Sequence, residues 1–237
     1  MQPHIYFWEL QVQKFISLNN RVLKMYEDTR IDKDALWNKY KSAAEKEMKD
    51  RTRSFNPEIY DGGDYADDYE DLISDYADLF WHINYNHLYQ YLTILCQTWE
   101  NILVSFCIKE IKGQGFEFSK SKHPNYGEIM RIIIKDVGES NIESLGKVRE
   151  LRHLVNVIKH GDGDAAAKLR KSRPDYFKFE GNKELSRLND RLEVYDSVFI
   201  NGQALNVKEE DLYEYHEAIT NFWKSIPERV YFEAIES

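Results

Sequence analysis

Apolar side chains recur at intervals of three and four along most of this chain, which is the spacing of amphipathic helices. The pattern predicts helices over about residues 4–30, 32–53, 86–112, 126–137, 142–160, 165–172 and 209–226. The segment 86–112 has the widest apolar face. A face this wide predicts a central helix that several neighbouring helices contact.

The pattern changes between residues 192 and 207. Leu192, Val194 and Val198 favour β-strands, and Asn201-Gly202 is typical of a two-residue hairpin turn into Gln203–Val207. The predicted fold class is therefore mainly α, with a small β-hairpin near the C-terminus. We expect one domain, built from an N-terminal helical hairpin, a helical core, and the β-hairpin with the last helix. These three parts cover residues 1–55, 62–175 and 176–237.

Composition places the chain among globular proteins, since 42% of its 237 residues are hydrophobic and 31% are charged. The sequence has no uncharged apolar run of about 18 residues, the length of a membrane span, and no secretory signal at its start. Cys96 and Cys107 fall inside an apolar helical pattern, which is typical of reduced core thiols. We therefore expect a cytoplasmic protein that does not enter a membrane.

The charge is unevenly distributed along the chain. The net charge of −9 argues against a protein whose whole surface binds nucleic acid. Residues 57–78 hold nine acidic side chains and no Lys or Arg, whereas residues 147–173 hold eight basic side chains against three acidic ones. The acidic run is either a solvated segment or a mimic of nucleic acid that covers the basic region.

The helix predicted over 142–160 carries basic and polar residues opposite its apolar face, and Gly161 is well placed to end it. More positive charge follows in the next predicted helix. Such a stripe suits the phosphates of RNA, but it is also what an ordinary solvated helix face looks like. The side chains concerned are Arg149, Arg152, His153, Asn156, Lys159, His160, Lys168, Arg170 and Lys171.

A long apolar helix followed by a helix that ends in Asn156-Val157-Ile158-Lys159-His160-Gly161 resembles the HEPN superfamily. The resemblance covers roughly residues 80–175. HEPN proteins are small helical bundles found in bacterial toxin, antiphage and CRISPR-associated proteins. Their active members are metal-independent RNases in which four to six residues separate an arginine from a histidine, at a homodimer interface. Asn156 and His160 match the motif, but Val155 stands where the arginine would be, and Arg152 is one residue too far from His160.

The resemblance implies a site in which His160 transfers the proton, Arg152 stabilises the phosphate and Asn156 orients it. It implies RNA contacts from Arg149, His153, Lys159, Lys168, Arg170 and Lys171. It also implies RNA as a partner, with tRNA as one candidate, and a second copy of the chain in a dimer. A cognate antitoxin or a defence-system protein is a further partner that it implies. It implies no metal and no cofactor. A two-fold dimer would bring Arg149 or Arg152 of one chain toward His160 of the other.

The displaced arginine keeps an alternative open. In that interpretation the chain is a catalytically inactive HEPN-like module that serves protein interaction or dimerisation, and its polar helix face is only solvated.

Overall fold

The computed structural model describes residues 2–53, 62–116, 124–179, 190–195, 198 and 202–232. These residues are mainly helical and include one small two-stranded antiparallel sheet, which confirms the predicted fold class. The strands are His4–Tyr6 (β1) and Arg229–Tyr231 (β2). The α-helices run over Glu9–Asp28 (α1), Lys33–Thr52 (α2), Gly62–Gly113 (α3), Tyr126–Val137 (α4), Leu145–His160 (α5), Asp164–Ser172 (α6), Arg191–Tyr195 (α7) and Glu209–Ser225 (α8).

Helix α3 organises the molecule. It has 52 residues and is therefore about 78 Å long. Its C-terminal half is the predicted central helix, because it packs against α1, α4, α5 and α8. Trp99, Leu103 and Cys107 on this half are fully buried. Its acidic N-terminal half packs instead against α2, through a small separate cluster of Ala44, Met48, Leu72 and partly buried neighbours.

Helix α3 is also the one described helix that is long and apolar enough, by length and composition alone, to cross a membrane. Part of its apolar surface, including Leu92 and Leu95, is buried in the core of the fold. The described residues are therefore compatible with a soluble protein. Cys96 and Cys107 are buried free thiols, as predicted, and burial raises the pKa of Cys96 to about 12.

The predicted β-hairpin is wrong over the described residues. Leu192 and Val194 lie in α7, Gly202–Ala204 forms a single 3-10 turn, and Phe199, Ile200 and Asn201 lie outside the described residues. The sheet joins the two ends of the chain instead, with Ile5 opposite Val230. The predicted N-terminal helix accordingly begins only at Glu9.

Tertiary packing explains why Gly202 does not mark a hairpin turn. A Cβ atom at Gly202 would meet Cβ of Tyr85 at 2.4 Å, so the glycine permits close packing against α3. The hydroxyl of Tyr89 donates to the carbonyl oxygens of Gly202 and Leu205, at 2.7 and 3.0 Å. A tyrosine of α3 thus satisfies backbone acceptors that a strand partner would otherwise take.

Arg173, directly after α6, is the centre of a partly buried charge cluster. Its guanidinium forms ion pairs with Asp175 at 2.7 Å, Asp211 at 2.9 Å and Glu150 at 3.5 Å. It also lies 3.8 Å from the ring centre of Tyr176. The cluster therefore joins α5 to the first turn of α8 through the 3-10 turn Pro174–Phe177.

Hydroxyl groups and a lysine extend this cluster. The Tyr176 and Tyr215 hydroxyls are 3.0 Å apart, and the Tyr215 hydroxyl donates to Glu150 at 3.0 Å. Lys147 forms ion pairs with Glu150 at 3.0 Å and with Glu214 at 2.9 Å. These bonds position α5, which carries the candidate site on another face.

We expect Arg173→Met to lower the free energy of unfolding by about 3–5 kcal/mol, the usual cost of removing one partner from a buried ion pair. The carboxylates of Asp211 and Glu150 are only 7% and 12% exposed and would lose this cation. Urea denaturation measures the loss. Lys24→Met is the matched control, because the pair of Lys24 with Asp28 is 67% and 58% exposed and its removal should cost nothing measurable. Equal losses in both variants would contradict the role assigned to Arg173.

Candidate nucleic-acid interface

Helix α5 has the two faces that the sequence predicts. Val148, Leu151, Leu154, Val155 and Ile158 are buried in the main core. The polar residues of the predicted stripe are at least partly exposed, and His160 is the most open of them. These residues are Arg149, Arg152, His153, Asn156 and His160.

The two arginines of the stripe are paired within the chain. Arg152 Nε donates to Glu100 Oε2 on α3 at 2.9 Å, and its guanidinium lies 4.4 Å from the ring centre of Tyr126 on α4. Arg149 forms an ion pair with Glu139, in the 3-10 turn after α4. Arg152 is held between three helices, so its charge is partly neutralised before any ligand arrives.

Arg152 also lines a surface cavity of about 300 Å³ between α3 and α5. Asn156 and Lys159 line the same cavity, from the following turns of α5. Within the described part of the chain, the side chains of these two residues have no hydrogen bond or ion pair. The remaining lining residues are Cys96, Gln97, Glu100, Asn101 and Val155.

His160 stands beyond this cavity, exposed at the last position of α5. Gly161 ends the helix with a positive φ of 71°, and its N–H donates to the Val157 carbonyl at 2.9 Å. Arg152 lies eight residues earlier, about 12 Å back along the helix axis. Among the described residues of one chain, Arg152, Asn156 and Lys159 lie together, whereas no ion pair or hydrogen bond joins His160 to an arginine.

His153, from which the resemblance implies an RNA contact, is half-buried, and its surroundings disfavour the charged form of its imidazole. Burial lowers its pKa, and the positive charges of Lys168 and Arg152 lower it further. A lowered pKa leaves the imidazole mostly neutral near pH 7. His153 therefore offers a hydrogen bond at that pH, not a charge.

Helix α6 carries three basic residues, of which Arg170 is paired with carboxylates and Lys168 and Lys171 are exposed. Arg170 donates to both carboxylate oxygens of Asp162, at 2.7 and 2.9 Å, and also forms an ion pair with Asp190. Arg170 is therefore paired within the chain, and RNA would have to compete with these carboxylates for the contact that the sequence predicts. Lys168 and Lys171 are exposed, and neither forms an ion pair with the described residues.

Sequence reasoning missed the acidic partners that occupy these arginines. Glu139 and Glu100 precede their arginines by 10 and 52 residues, and Asp190 follows Arg170 by 20. None of these separations is a helical repeat, so periodicity contains no signal for the pairs. A count of charges reports that basic residues are present but not whether they are paired.

No protein-family model matches this sequence, and neither a curated protein nor a solved structure was found to match the chain.

The lowered pKa of His153 makes a prediction about acid stability. Because the folded-state pKa lies below the unfolded value of about 6.5, the neutral ring stabilises the fold at higher pH. This contribution is lost as the pH falls from about 6.5 through the folded-state pKa. We expect His153→Gln to lose less unfolding free energy than wild type between about pH 7 and pH 5, measured by urea denaturation at each pH. An identical loss in both proteins would contradict the assignment.

Proposed function

We propose that this protein is a HEPN-like RNA-binding protein whose RNA surface lies at the C-terminal end of α5 and along α6. The observation that carries the proposal is the position of Asn156 and Lys159, which line an open polar cavity with no described side-chain partner. His160 stands exposed one turn beyond Asn156, and Lys168 and Lys171 extend the surface along α6. Lysines and amides of this kind bind phosphate oxygens without reading the bases.

The acidic half of α3 does not support the interpretation in which it covers this surface within one chain. The described packing of that half is against α2, through Leu72, Tyr69 and Tyr76. Asp75 is 21 residues from Cys96 along one continuous helix, which corresponds to about 30 Å. In one chain, the described part of the acidic run is therefore remote from the cavity that Cys96 lines.

RNA cleavage requires a second chain in this proposal. His160 would take the proton of a 2′-hydroxyl, the 2′-oxygen would bond to the adjacent phosphorus, and the bond from phosphorus to the 5′-oxygen would break as that oxygen gains a proton. The negative charge that develops on the phosphate needs a cation. Arg152 of the same chain is too far from His160, so an arginine from the partner chain would have to supply that charge.

A catalytically inactive interaction module is the second candidate. The observation that favours it is the internal pairing of Arg149, Arg152 and Arg170. An RNase that depends on one of these arginines would first have to release it from its carboxylate.

We expect the protein to bind tRNA or total RNA with an affinity that falls as salt rises. Lys159→Ala and Lys171→Ala should each weaken binding and reduce the salt slope by about one phosphate contact. Lys46→Ala is the control, because Lys46 is exposed, as Lys171 is, but lies on α2. Filter binding or fluorescence anisotropy at several salt concentrations measures the effect. RNA binding that is absent or insensitive to salt would contradict the proposed RNA surface and would favour the catalytically inactive interaction module.

We expect any cleavage in EDTA to be lost in His160→Ala and in Arg152→Gln and to return when the two inactive proteins are mixed. In a random mixture half of the dimers are mixed, and each mixed dimer holds one intact site of two, so about a quarter of the wild-type rate should return. Arg131→Gln, an exposed arginine of α4, is the matched control and should stay active.

Cleavage that survives His160→Ala would remove His160 from the mechanism. Inactive variants that stay inactive when mixed would contradict a site shared between chains. A wild-type protein that binds RNA without cleaving it would leave RNA binding as its function.

A further inference from the structure

A second cavity, of about 280 Å³, lies away from α5 and α6. It is bordered by the C-terminal end of α1, the start of α2, the middle of α3 and the segment that leads into α8. Aromatic rings line one side of it and charged groups line the other. No residue of the proposed RNA surface lines this cavity, so a ligand bound here is independent of the proposed function.

The aromatic side is formed by two pairs of rings. The ring centres of Trp81 and Tyr85 are 6.1 Å apart with an interplanar angle of 36°, and those of Tyr26 and His87 are 5.3 Å apart. Trp81 is 44% exposed, and its ring centre also lies 5.1 Å from that of Phe80. This side therefore presents ring faces on which a planar group can stack.

This aromatic side is built in advance of any ligand. The backbone of Gly202 packs so closely on Tyr85 that no Cβ atom would fit between them. His87 Nε2 lies 3.2 Å from the Thr29 hydroxyl, and burial lowers the pKa of His87, which keeps this ring uncharged near neutral pH. The rings thus form a preorganised, neutral wall.

The charged side combines cations with carboxylates. Arg30 and Lys33 border the cavity, and Lys33 is the first residue of α2. Asp32 caps this helix, because its carboxylate accepts from the Ala35 N–H at 2.9 Å, so the positive charge here comes from Lys33 and not from the helix end. Glu209 and Glu210 border it as well, and Glu209 accepts an ion pair from Arg30 at 2.9 Å. Lys208 adds a third basic residue to this side.

We propose that this cavity binds a mononucleotide. The base would stack on Trp81 and Tyr85, the phosphate would lie at Lys33, and amino or hydroxyl groups would donate to Glu210. The volume is close to the lower end of small-ligand sites, about 300 Å³. Inorganic phosphate would leave the rings unused, and a quaternary ammonium ligand would make no use of Lys33. A nucleotide is the ligand class that uses both sides of the cavity.

Isothermal titration of the full-length protein tests the proposal with AMP, GMP, CMP and UMP, and with adenosine, inorganic phosphate and choline as comparison ligands. We expect at least one mononucleotide to bind, and Trp81→Ala to weaken that binding about tenfold, as for loss of one stacked base. Lys33→Gln should weaken the nucleotide about tenfold and leave the nucleoside unchanged. Leu79→Ala and Lys41→Gln are the controls, because both residues are exposed on the same helices but do not line the cavity.

The proposal is overturned if no mononucleotide binds, if phosphate binds as tightly as the nucleotide, or if choline binds in its place. It is also overturned if Trp81→Ala binds like wild type. His160→Ala should leave nucleotide affinity unchanged, which separates a failure here from a failure of the proposed RNA surface.

Discussion

The position of α5 depends on one partly buried cation, the guanidinium of Arg173. Three carboxylates, from Glu150, Asp175 and Asp211, surround it, and it stacks on the ring of Tyr176. Desolvating an arginine costs several kcal/mol, so the charge is stable there only because α5, α8 and the turn between them each supply a partner. The helix that carries the candidate surface is therefore fixed by charges on another face, which leaves its stripe open to solvent.

Ion pairing within the chain also reduces the positive charge that α5 and α6 offer to a ligand. Residues 147–173 contain eight basic side chains, and five of them, Lys147, Arg149, Arg152, Arg170 and Arg173, are in ion pairs within the described chain. The three that remain are all lysines. Lysine acts as a point charge toward phosphate, whereas arginine would give planar, two-pronged recognition. The local excess of positive charge is thus smaller than the sequence suggests, and it favours contacts that are tolerant of RNA sequence.

Periodicity predicts most of the helices but not their contacts. The bounds of α4 agree with the prediction at both ends, and the two faces of α5 follow from its repeat, because burial acts on every turn of a helix. The hairpin failed at Gly202, where a local turn signal competes with close packing against Tyr85 on α3. The paired arginines were missed for the related reason that their partners are distant in sequence. Contacts between residues that are distant in sequence cannot be predicted from a local sequence pattern.

Helix α3 contributes to two cavities of different chemistry. The one beside α5 is lined by amides, charged groups, a cysteine and a valine, without an aromatic ring, so it can hold a phosphate but offers no surface on which a base can stack. The one around Trp81 and Tyr85 has those rings. Asn84 and Gln97, one from each cavity, are 13 residues apart on the helix, or about 20 Å. A continuous helix fixes this separation, so one small ligand cannot occupy both cavities at once.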